Sequence, residues 1–386
     1  MEEGRCPPVT RRSGSDSLKT MLIVFVCVVV LAVVASMAGS AIVDYRKNAI
    51  LTRQQETETI NREREAEYMA TLAEFEQASS SGANLAWPAP RSEGWDVVDL
   101  TTYPLESPTT VTGDRISLMN NGMLLVNQWH SRPSDFQETA LTSVGTYTGG
   151  KVRVSDYNKK LFPVAIDALA SAIADANGLG YMDYMVSEAY RSYDDQNALF
   201  QKAMDSLKER YTGDALIAAA SKTVNYPGTS EFNSGLSFTL RLYRKGDEAV
   251  NKKIYTTSEE GVWMSTNCWK YGLVFRFPLA DFPLPGTQDK SYKTGISSKL
   301  RLYRYVGRGN AAAMNTLGLC LEEYVDYLIQ HPHIAVFEDG QLKYEIYRQE
   351  VGDAESFSLS ITSRASSYES SLDNMGGVVT TFVYEP

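Results

Sequence analysis

The chain has few of the residues from which metal sites and disulfide frameworks are built. Its 386 residues include three histidines and four cysteines, and no two cysteines form a Cys-x-x-Cys pair. The sequence therefore argues against a zinc ribbon or a disulfide scaffold. Cys268 and Cys320 stand in apolar, helix-like contexts, which favours buried core thiols over a bridge.

Positive charge is also scarce. The chain has 37 Lys and Arg residues against 47 Asp and Glu residues, a net charge of −10. A nucleic-acid-binding protein is expected to carry a basic face, so this balance argues against a nucleic-acid partner. The hydrophobic fraction of 43%, at this length, is enough for one sizeable core or two small ones.

The histidines are His130, His331 and His333, and none lies between residues 131 and 330. His331 and His333 flank a proline, and on a strand they would share a face that could hold a metal. No third ligand is evident nearby, so the pattern favours a turn with exposed histidines. His130 follows Trp129 at the end of an apolar stretch, which favours a surface or capping role.

The longest apolar run is residues 21–43, which contain no charged side chain. As a helix this run is roughly 34 Å long, enough to cross a bilayer. It exceeds the about 7–15 residues of a signal-peptide core, which favours an uncleaved anchor, although its Ser-Met-Ala-Gly-Ser-Ala stretch resembles a cleavage site. Four basic residues on either side leave the orientation undecided by charge.

Composition divides the rest of the chain into segments. Residues 1–20 form a tail, and residues 44–78, rich in Glu, Arg, Gln and Ala without Gly or Pro, predict a helical stalk. Its sparse apolar positions favour a spacer helix over a dimerising one. Residues 79–94 read as a linker, residues 95–350 as a folded domain, and the Ser-rich residues 351–386 as a loosely ordered tail with one late strand.

Helical and extended patterns follow each other irregularly in the domain. Residues 162–180 have apolar side chains at helical spacing and end in Gly, which predicts a helix. Residues 334–348 predict a hairpin around Asp339 and Gly340. Because no regular strand–helix–strand repeat occurs, the pattern favours an α+β fold.

Short motifs recur in order along the domain: SEAYRSYDDQ from Ser187, PGTSEFNSGLSF from Pro227, WMSTNCWKYGLVFRFP from Trp263 and TGISSKLRLYRYVG from Thr294. They resemble the motifs of the VanY-type D-alanyl-D-alanine carboxypeptidases, zinc peptidases that trim peptidoglycan stem peptides. The resemblance covers about residues 125–330. It implies the DD-peptidase fold, an α+β domain with mixed helices around a small antiparallel sheet.

The positions that bind metal in the resembling family carry other residues here. The family's His, Asp and second His ligands correspond to Phe232, Thr239 and Leu302, and its general base, a Glu, corresponds to Lys299. Phe and Leu have no lone pair, and a catalytic zinc needs about three ligands from His, Asp, Glu or Cys. The resemblance therefore implies a member without zinc and without a catalytic base.

The residues at the family's substrate-binding positions match the family more closely than those at its metal-ligand positions. Arg191 matches its substrate-clamping arginine, whose planar fork fits a carboxylate. Gln196 and Ser230 match positions that hydrogen-bond the peptide. The alternative for Arg191 is a structural salt bridge, for instance with Glu231.

Lys299 and Arg301 add two cations at the position of the family's base and close to it. On a strand these two residues share a face, so both are expected to line the cleft together. The sequence is compatible with two interpretations. Either this pair attracts a carboxylate or phosphate ligand, or the two residues lie on a solvated face without function.

Together these features predict a membrane-anchored, catalytically inactive carboxypeptidase-like protein of the bacterial envelope. Its N-terminus is expected in the cytoplasm and its domain outside, bound to peptidoglycan stem peptide or an envelope protein. The alternatives are an active zinc D,D-carboxypeptidase with a relocated metal site and a purely structural envelope protein. A stalk-mediated dimer remains open.

Overall fold

A computed structural model describes residues 87–385. The predicted tail at 1–20, membrane segment at 21–43 and stalk at 44–78 lie outside the described residues. Within residues 87–385, no helix has the length and apolar character that a membrane crossing requires.

Strands from both ends of the described region contribute to the fold. In chain order they are β1 (Trp95–Asp99), β2 (Pro108–Asp114), β3 (Thr142–Ser143), β4 (Arg153–Val154), β5 (Lys160–Leu161), β6 (Tyr184–Glu188), β7 (Ser237–Leu242), β8 (Leu273–Phe275), β9 (Leu302–Tyr305), β10 (His333–Glu338), β11 (Gln341–Glu350), β12 (Ser356–Thr362), β13 (Ser367–Leu372) and β14 (Gly377–Val383).

These strands form two five-stranded sheets. The first has the order β4-β6-β7-β9-β8 and the second the order β1-β10-β11-β14-β13. Only β4 and β6 pair in parallel; the other neighbours within these two sheets are antiparallel. Strand β12 pairs with β2, and β3 pairs with β5, in two small sheets.

Helices flank both sheets. The α-helices are Arg115–Leu118, Val144–Tyr147, Pro163–Gly178, Tyr193–Leu207, Gly213–Ser221, Glu248–Asn251, Glu259–Asn267, Ser291–Thr294, Arg308–Leu317 and Leu321–Gln330, and 3-10 turns occur at Glu231–Ser234, Tyr255–Thr257 and Cys268–Tyr271. The mixed α and β character predicted from the sequence is confirmed, although the described residues form two five-stranded and two two-stranded sheets rather than one small sheet.

The helix Pro163–Gly178 packs on the first sheet. It begins with Pro at its first turn, where the missing N–H costs no helical hydrogen bond. Ile166, Leu169 and Ile173 are buried and share a face because they are spaced by three and four residues. They belong to the same apolar cluster as the β6 and β7 side chains, so the helix predicted at 162–180 is confirmed.

The second sheet is built around the predicted hairpin. Strands β10 and β11 are joined by Asp339 and Gly340, whose φ angles are 49° and 75°. Two positive φ angles are typical of the tight turns that match strand twist, so the hairpin is confirmed. Helices Arg308–Leu317 and Leu321–Gln330 contribute to the apolar cluster of this sheet.

The predicted loose order after residue 350 is wrong, because β12, β13 and β14 are all formed there, whereas the one late strand predicted in this segment is confirmed as β14. Strand β14 pairs with β11 over residues 377–383. Ser370, Ser371, Thr380 and Thr381 are buried within the sheet rather than solvated; the hydroxyls of Ser370 and Thr380 lie 2.9 Å apart. Cross-strand bonds of this kind satisfy buried hydroxyls, so a Ser-rich composition did not prevent folding.

The two described cysteines agree with the sequence prediction. Cys268 and Cys320 are both free and buried. Burial raises the pKa of each thiol to about 12, because an apolar environment disfavours the charged thiolate. They are core thiols.

Candidate functional site

Two of the three positions that correspond to metal ligands are brought together by the first sheet. Thr239 on β7 lies directly opposite Leu302 on β9 in the antiparallel register. Side chains of directly opposed residues are neighbours on one face of a sheet. The sequence places these residues 63 positions apart (302 minus 239), and sheet pairing closes that separation.

Neither side chain offers a free metal donor. Leu302 is apolar and 1% exposed. The Thr239 hydroxyl accepts a hydrogen bond from the Glu188 backbone N–H at 3.0 Å and lies 2.9 Å from the Ser187 hydroxyl. These contacts occur where the β6–β7 register shifts between Val186 and Glu188, so the Thr239 hydroxyl stabilises a backbone irregularity.

Phe232 lies in the 3-10 turn Glu231–Ser234, beside Arg191. The guanidinium carbon of Arg191 is 4.6 Å from the centroid of the Phe232 ring. The backbone N–H of Arg191 donates to the Phe232 carbonyl at 3.0 Å, and the Asn233 side-chain amide donates to the Arg191 carbonyl at 2.6 Å. The turn and the segment after β6 are therefore held together by hydrogen bonds as well as by the ring contact.

The charge of Arg191 is only weakly compensated. Its Nη1 donates to Gln196 Oε1 at 2.9 Å, and its Nη2 lies 3.9 Å from Glu188 Oε2, too far for a hydrogen bond. Burial lowers the pKa of the guanidinium, and the charges of Glu188 and Asp195 offset this only in part. The alternative of a structural salt bridge is met by Glu188 rather than by Glu231, and this ion pair is long; Glu231 pairs with Arg276 and Arg304 instead.

Gln196 and Ser230 are both buried in the region of Arg191. Gln196 is 1% exposed; its Oε1 accepts from Arg191 and its Nε2 donates to the Asn225 carbonyl at 2.7 Å. Ser230 is buried, and its backbone N–H donates to Asn233 Oδ1 at 3.1 Å. Both residues orient the Arg191 region from inside; their contact with a peptide stays a prediction.

Lys299 and Arg301 do not share a strand face as predicted, because β9 begins only at Leu302. Both are exposed in the irregular segment before it. The Lys299 ammonium lies 5.4 Å from the centroid of the Phe282 ring. The predicted strand is shortened because residues 295–301 have no partner strand within the described sheets.

A buried network of charges supports the 3-10 turn, and the sequence analysis did not find it. Arg276 Nε donates to Glu231 Oε2 at 2.7 Å, and its Nη2 donates to Glu322 Oε1 at 2.6 Å. Arg304 Nη1 donates to Glu231 Oε1. All four side chains are at most 5% exposed. Charged residues in runs of otherwise apolar strand sequence were the available signal.

The network favours the ionised forms of Glu231 and Arg276. Burial by itself would raise the pKa of Glu231, but Arg276, Arg304 and the Ser237 hydroxyl lower it below its usual value. Burial likewise disfavours the charge of Arg276, yet Glu322 and Glu231 raise its pKa above the ordinary value. Paired and hydrogen-bonded charges of this kind can persist in an interior.

The residues at the family positions do not fit a zinc ion. Phe232 and Leu302 have no donor atom, and the Thr239 hydroxyl is already engaged by the β6 backbone. Across residues 87–385, no group of three or more His, Cys, Asp or Glu side chains is arranged to hold a metal. A catalytic zinc needs about three such ligands.

The neighbouring histidines His331 and His333 have separate partners. His331 Nδ1 lies 2.7 Å from Asp99 Oδ2. His333 lies between the Tyr103 carbonyl at 2.8 Å and Glu345 Oε1 at 2.7 Å. His333 is fully buried, so the prediction of two exposed turn histidines is wrong for this residue.

His130 is held by its own loop. Its Nδ1 lies 3.0 Å from Asn127 Oδ1, which also accepts from the His130 backbone N–H. Burial lowers the pKa of the imidazole. Since Asn127 in turn donates to Glu322, His130 borders the buried charge network rather than the surface around Arg191.

Comparison with known proteins identifies the domain. Residues 158–308 match the sequence model of the VanY family, D-alanyl-D-alanine carboxypeptidase. A D-alanyl-D-alanine carboxypeptidase of Enterococcus faecium is 32% identical over 209 residues, which are 54% of this chain and 57% of that protein. The match therefore spans less than two thirds of that relative.

Solved structures resemble the same region. The vancomycin resistance D,D-dipeptidase VanXYg, in complex with a D-Ala-D-Ala phosphinate analog, has 22% identity and a TM-score of 0.53, covering 72% of this chain and 99% of its own. This likeness shows a shared DD-peptidase-like fold. A variant of the D,D-pentapeptidase VanY in complex with Zn(II) has 25% identity and a TM-score of 0.40, covering 53% of this chain and 98% of its own.

Proposed function

The chain carries a VanY-type D-alanyl-D-alanine carboxypeptidase domain, and from this premise we propose that it binds peptidoglycan stem peptides without hydrolysing them. The matched relatives are D-alanyl-D-alanine carboxypeptidases. The proposal includes an anchor at residues 21–43 that holds the domain at the outer face of a bacterial cell membrane.

The loss of metal donors carries the argument against hydrolysis. A zinc-bound water loses a proton readily enough to attack a peptide bond, because the metal lowers its pKa to about 7. The corresponding positions here hold Phe232, Leu302 and an engaged Thr239. A lysine, Lys299, stands where the relatives' general base stands, and an ammonium cannot accept the proton.

The state of Arg191 supports retained binding. Its guanidinium is partly buried, with 22% of the side chain exposed, and its nearest carboxylate is 3.9 Å away. A desolvated cation with little compensation is stabilised by an incoming anion. A peptide that ends in D-Ala-D-Ala presents such an anion as its free α-carboxylate, and the exposed Lys299 and Arg301 are two further cations of the domain.

The test is binding to the full-length protein in detergent, measured by calorimetry with a short peptide that ends in Lys-D-Ala-D-Ala. We expect binding that does not depend on zinc. Arg191→Ala should weaken it by about 10- to 100-fold, because a charge-assisted hydrogen bond contributes about 1.5–3 kcal/mol. Lys299→Ala should weaken it by about two- to fivefold, as an exposed charge does.

Two results would overturn the proposal. The first is release of D-Ala from the peptide, with about one zinc per chain in the purified protein after dialysis against zinc. The second is unchanged affinity in both variants, which would leave a structural envelope role. That role is the second candidate, because Gln196 and Ser230 already make their polar contacts inside the protein.

A further inference from the structure

Phe232 stands where the related enzymes carry a metal ligand, yet it has a specific contact of its own. The guanidinium carbon of Arg191 lies 4.6 Å from the centre of its ring. The face of an aromatic ring is electronegative and attracts a cation placed over it within about 6 Å. The contact therefore orients the flat guanidinium group on one side.

The two residues are also coupled through the backbone. Arg191 N–H donates to the Phe232 carbonyl at 3.0 Å, and Asn233 donates back to the Arg191 carbonyl at 2.6 Å. The turn that carries Phe232 is fixed in turn by the buried pair between Glu231 and Arg276. The ring is thus a rigid support under the arginine rather than a mobile neighbour.

Two immediate supports of Arg191 are electrically neutral, and its ion pair with Glu188 is long. Within the described residues, its guanidinium contacts the Phe232 ring and the Gln196 amide, whereas Glu188 is 3.9 Å away. A ring occupies no N–H donor, and an amide oxygen occupies one without removing the charge. Both supports leave the cation available for a planar, two-pronged carboxylate.

We propose that Phe232 is a positioning residue that holds the Arg191 fork ready for the free α-carboxylate of a peptide C-terminus. The residue that replaced a metal ligand then sets the charge preference of the site. This inference rests on the proposed function and adds to it the residue that orients the arginine towards the carboxylate.

The experiment compares two peptides on the full-length protein in detergent, one ending in Lys-D-Ala-D-Ala and one with the same sequence amidated at its C-terminus. Phe232→Leu removes the aromatic face at similar volume. It should weaken binding of the free carboxylate by about fivefold and leave the amide unchanged. Phe232→Tyr, which keeps the face, should bind both peptides as the unaltered protein does.

A matched control is available on β7, where Arg241 lies 5.5 Å from the ring centroid of Tyr243. Tyr243→Leu removes a comparable arginine–aromatic contact and should alter neither affinity. Tryptophan fluorescence in urea verifies that each variant folds, and Phe232→Met serves as a second ring-free variant if Phe232→Leu does not.

The outcomes separate this inference from the proposed function. If Phe232→Leu loses the same affinity for both peptides, the substitution has changed the shape of the site, and the inference is overturned. Unchanged binding in Phe232→Leu together with a loss in Arg191→Ala would overturn it while the proposed function stands. Unchanged binding in Arg191→Ala and in Lys299→Ala as well would overturn both.

Discussion

Glu231→Gln removes the carboxylate that pairs with both Arg276 and Arg304, while keeping the shape of the side chain. The two guanidinium groups would then share Glu322 as the remaining anion of the network. All of these groups are buried. Glutamine still offers an oxygen to Ser237, which donates to Glu231 Oε1 at 2.8 Å. Its NH2 group would then face the Arg276 Nε–H that Glu231 Oε2 accepts, so the expected loss is that of the charge and of one hydrogen bond.

Removing one partner of a buried ion pair costs about 3–5 kcal/mol, because the remaining charge stays in the interior without compensation. Since glutamine retains one acceptor, the lower end, about 3 kcal/mol, is the expectation. With a urea dependence of about 3 kcal/mol per molar for a domain of this size, the unfolding midpoint should fall by about 1 M.

The assay is urea unfolding followed by tryptophan fluorescence. All five tryptophans, the first of them Trp87, lie within residues 87–269, so the signal reports on the described part of the chain. Glu248→Gln is the matched control, since its ion pair with Lys252 at 3.1 Å is exposed, and exposed pairs contribute little. A midpoint that stays within error in Glu231→Gln would refute the account of the network.

The difference in unfolding free energy between the wild type and Glu231→Gln should also depend on pH. The folded protein lowers the pKa of Glu231 below its ordinary value of 4.5. Its charge therefore contributes stability that is present above about pH 4.5 and lost as the pH falls through the folded pKa. The gap in unfolding free energy between the wild type and Glu231→Gln should narrow below pH 4.5, and a gap that widened there would contradict this assignment.

Two further outcomes test the site and the core. Replacing Phe232, Thr239 and Leu302 together by His, Asp and His should create a metal site, because the β7–β9 register already places two of these positions opposite each other. Mass spectrometry should then find about one zinc retained per chain. No retained zinc would show that the scaffold no longer has the ligand geometry. Cys268 and Cys320 should resist alkylation at pH 8 in the folded protein and react in urea, since burial raises the pKa of both thiols to about 12; rapid reaction of the native protein would contradict their burial.

Sequence patterns correctly predicted the elements whose conformation depends on residues that are neighbours in the chain. The helix at Pro163–Gly178 and the turn at Asp339 and Gly340 follow from apolar spacing and from residues that accept a positive φ. Of the C-terminal strands only β14 was predicted; β12 and β13 were missed for the opposite reason. Ser370 stands in a Ser-rich stretch that suggested a loose tail, and only the pairing of β13 with β14 brings its hydroxyl to that of Thr380 in the interior.

The site divides in the same way. That Phe232 and Leu302 cannot bind a metal is a property of the residue types, so the sequence by itself determined it. The partners of the charged residues were decided by the tertiary structure alone. Glu231 pairs with Arg276 and Arg304, which are 45 and 73 positions away in the chain. The guanidinium of Arg191 contacts the aromatic ring of Phe232. Burial sets which charges must be paired, and burial is a property of the assembled sheets rather than of any segment.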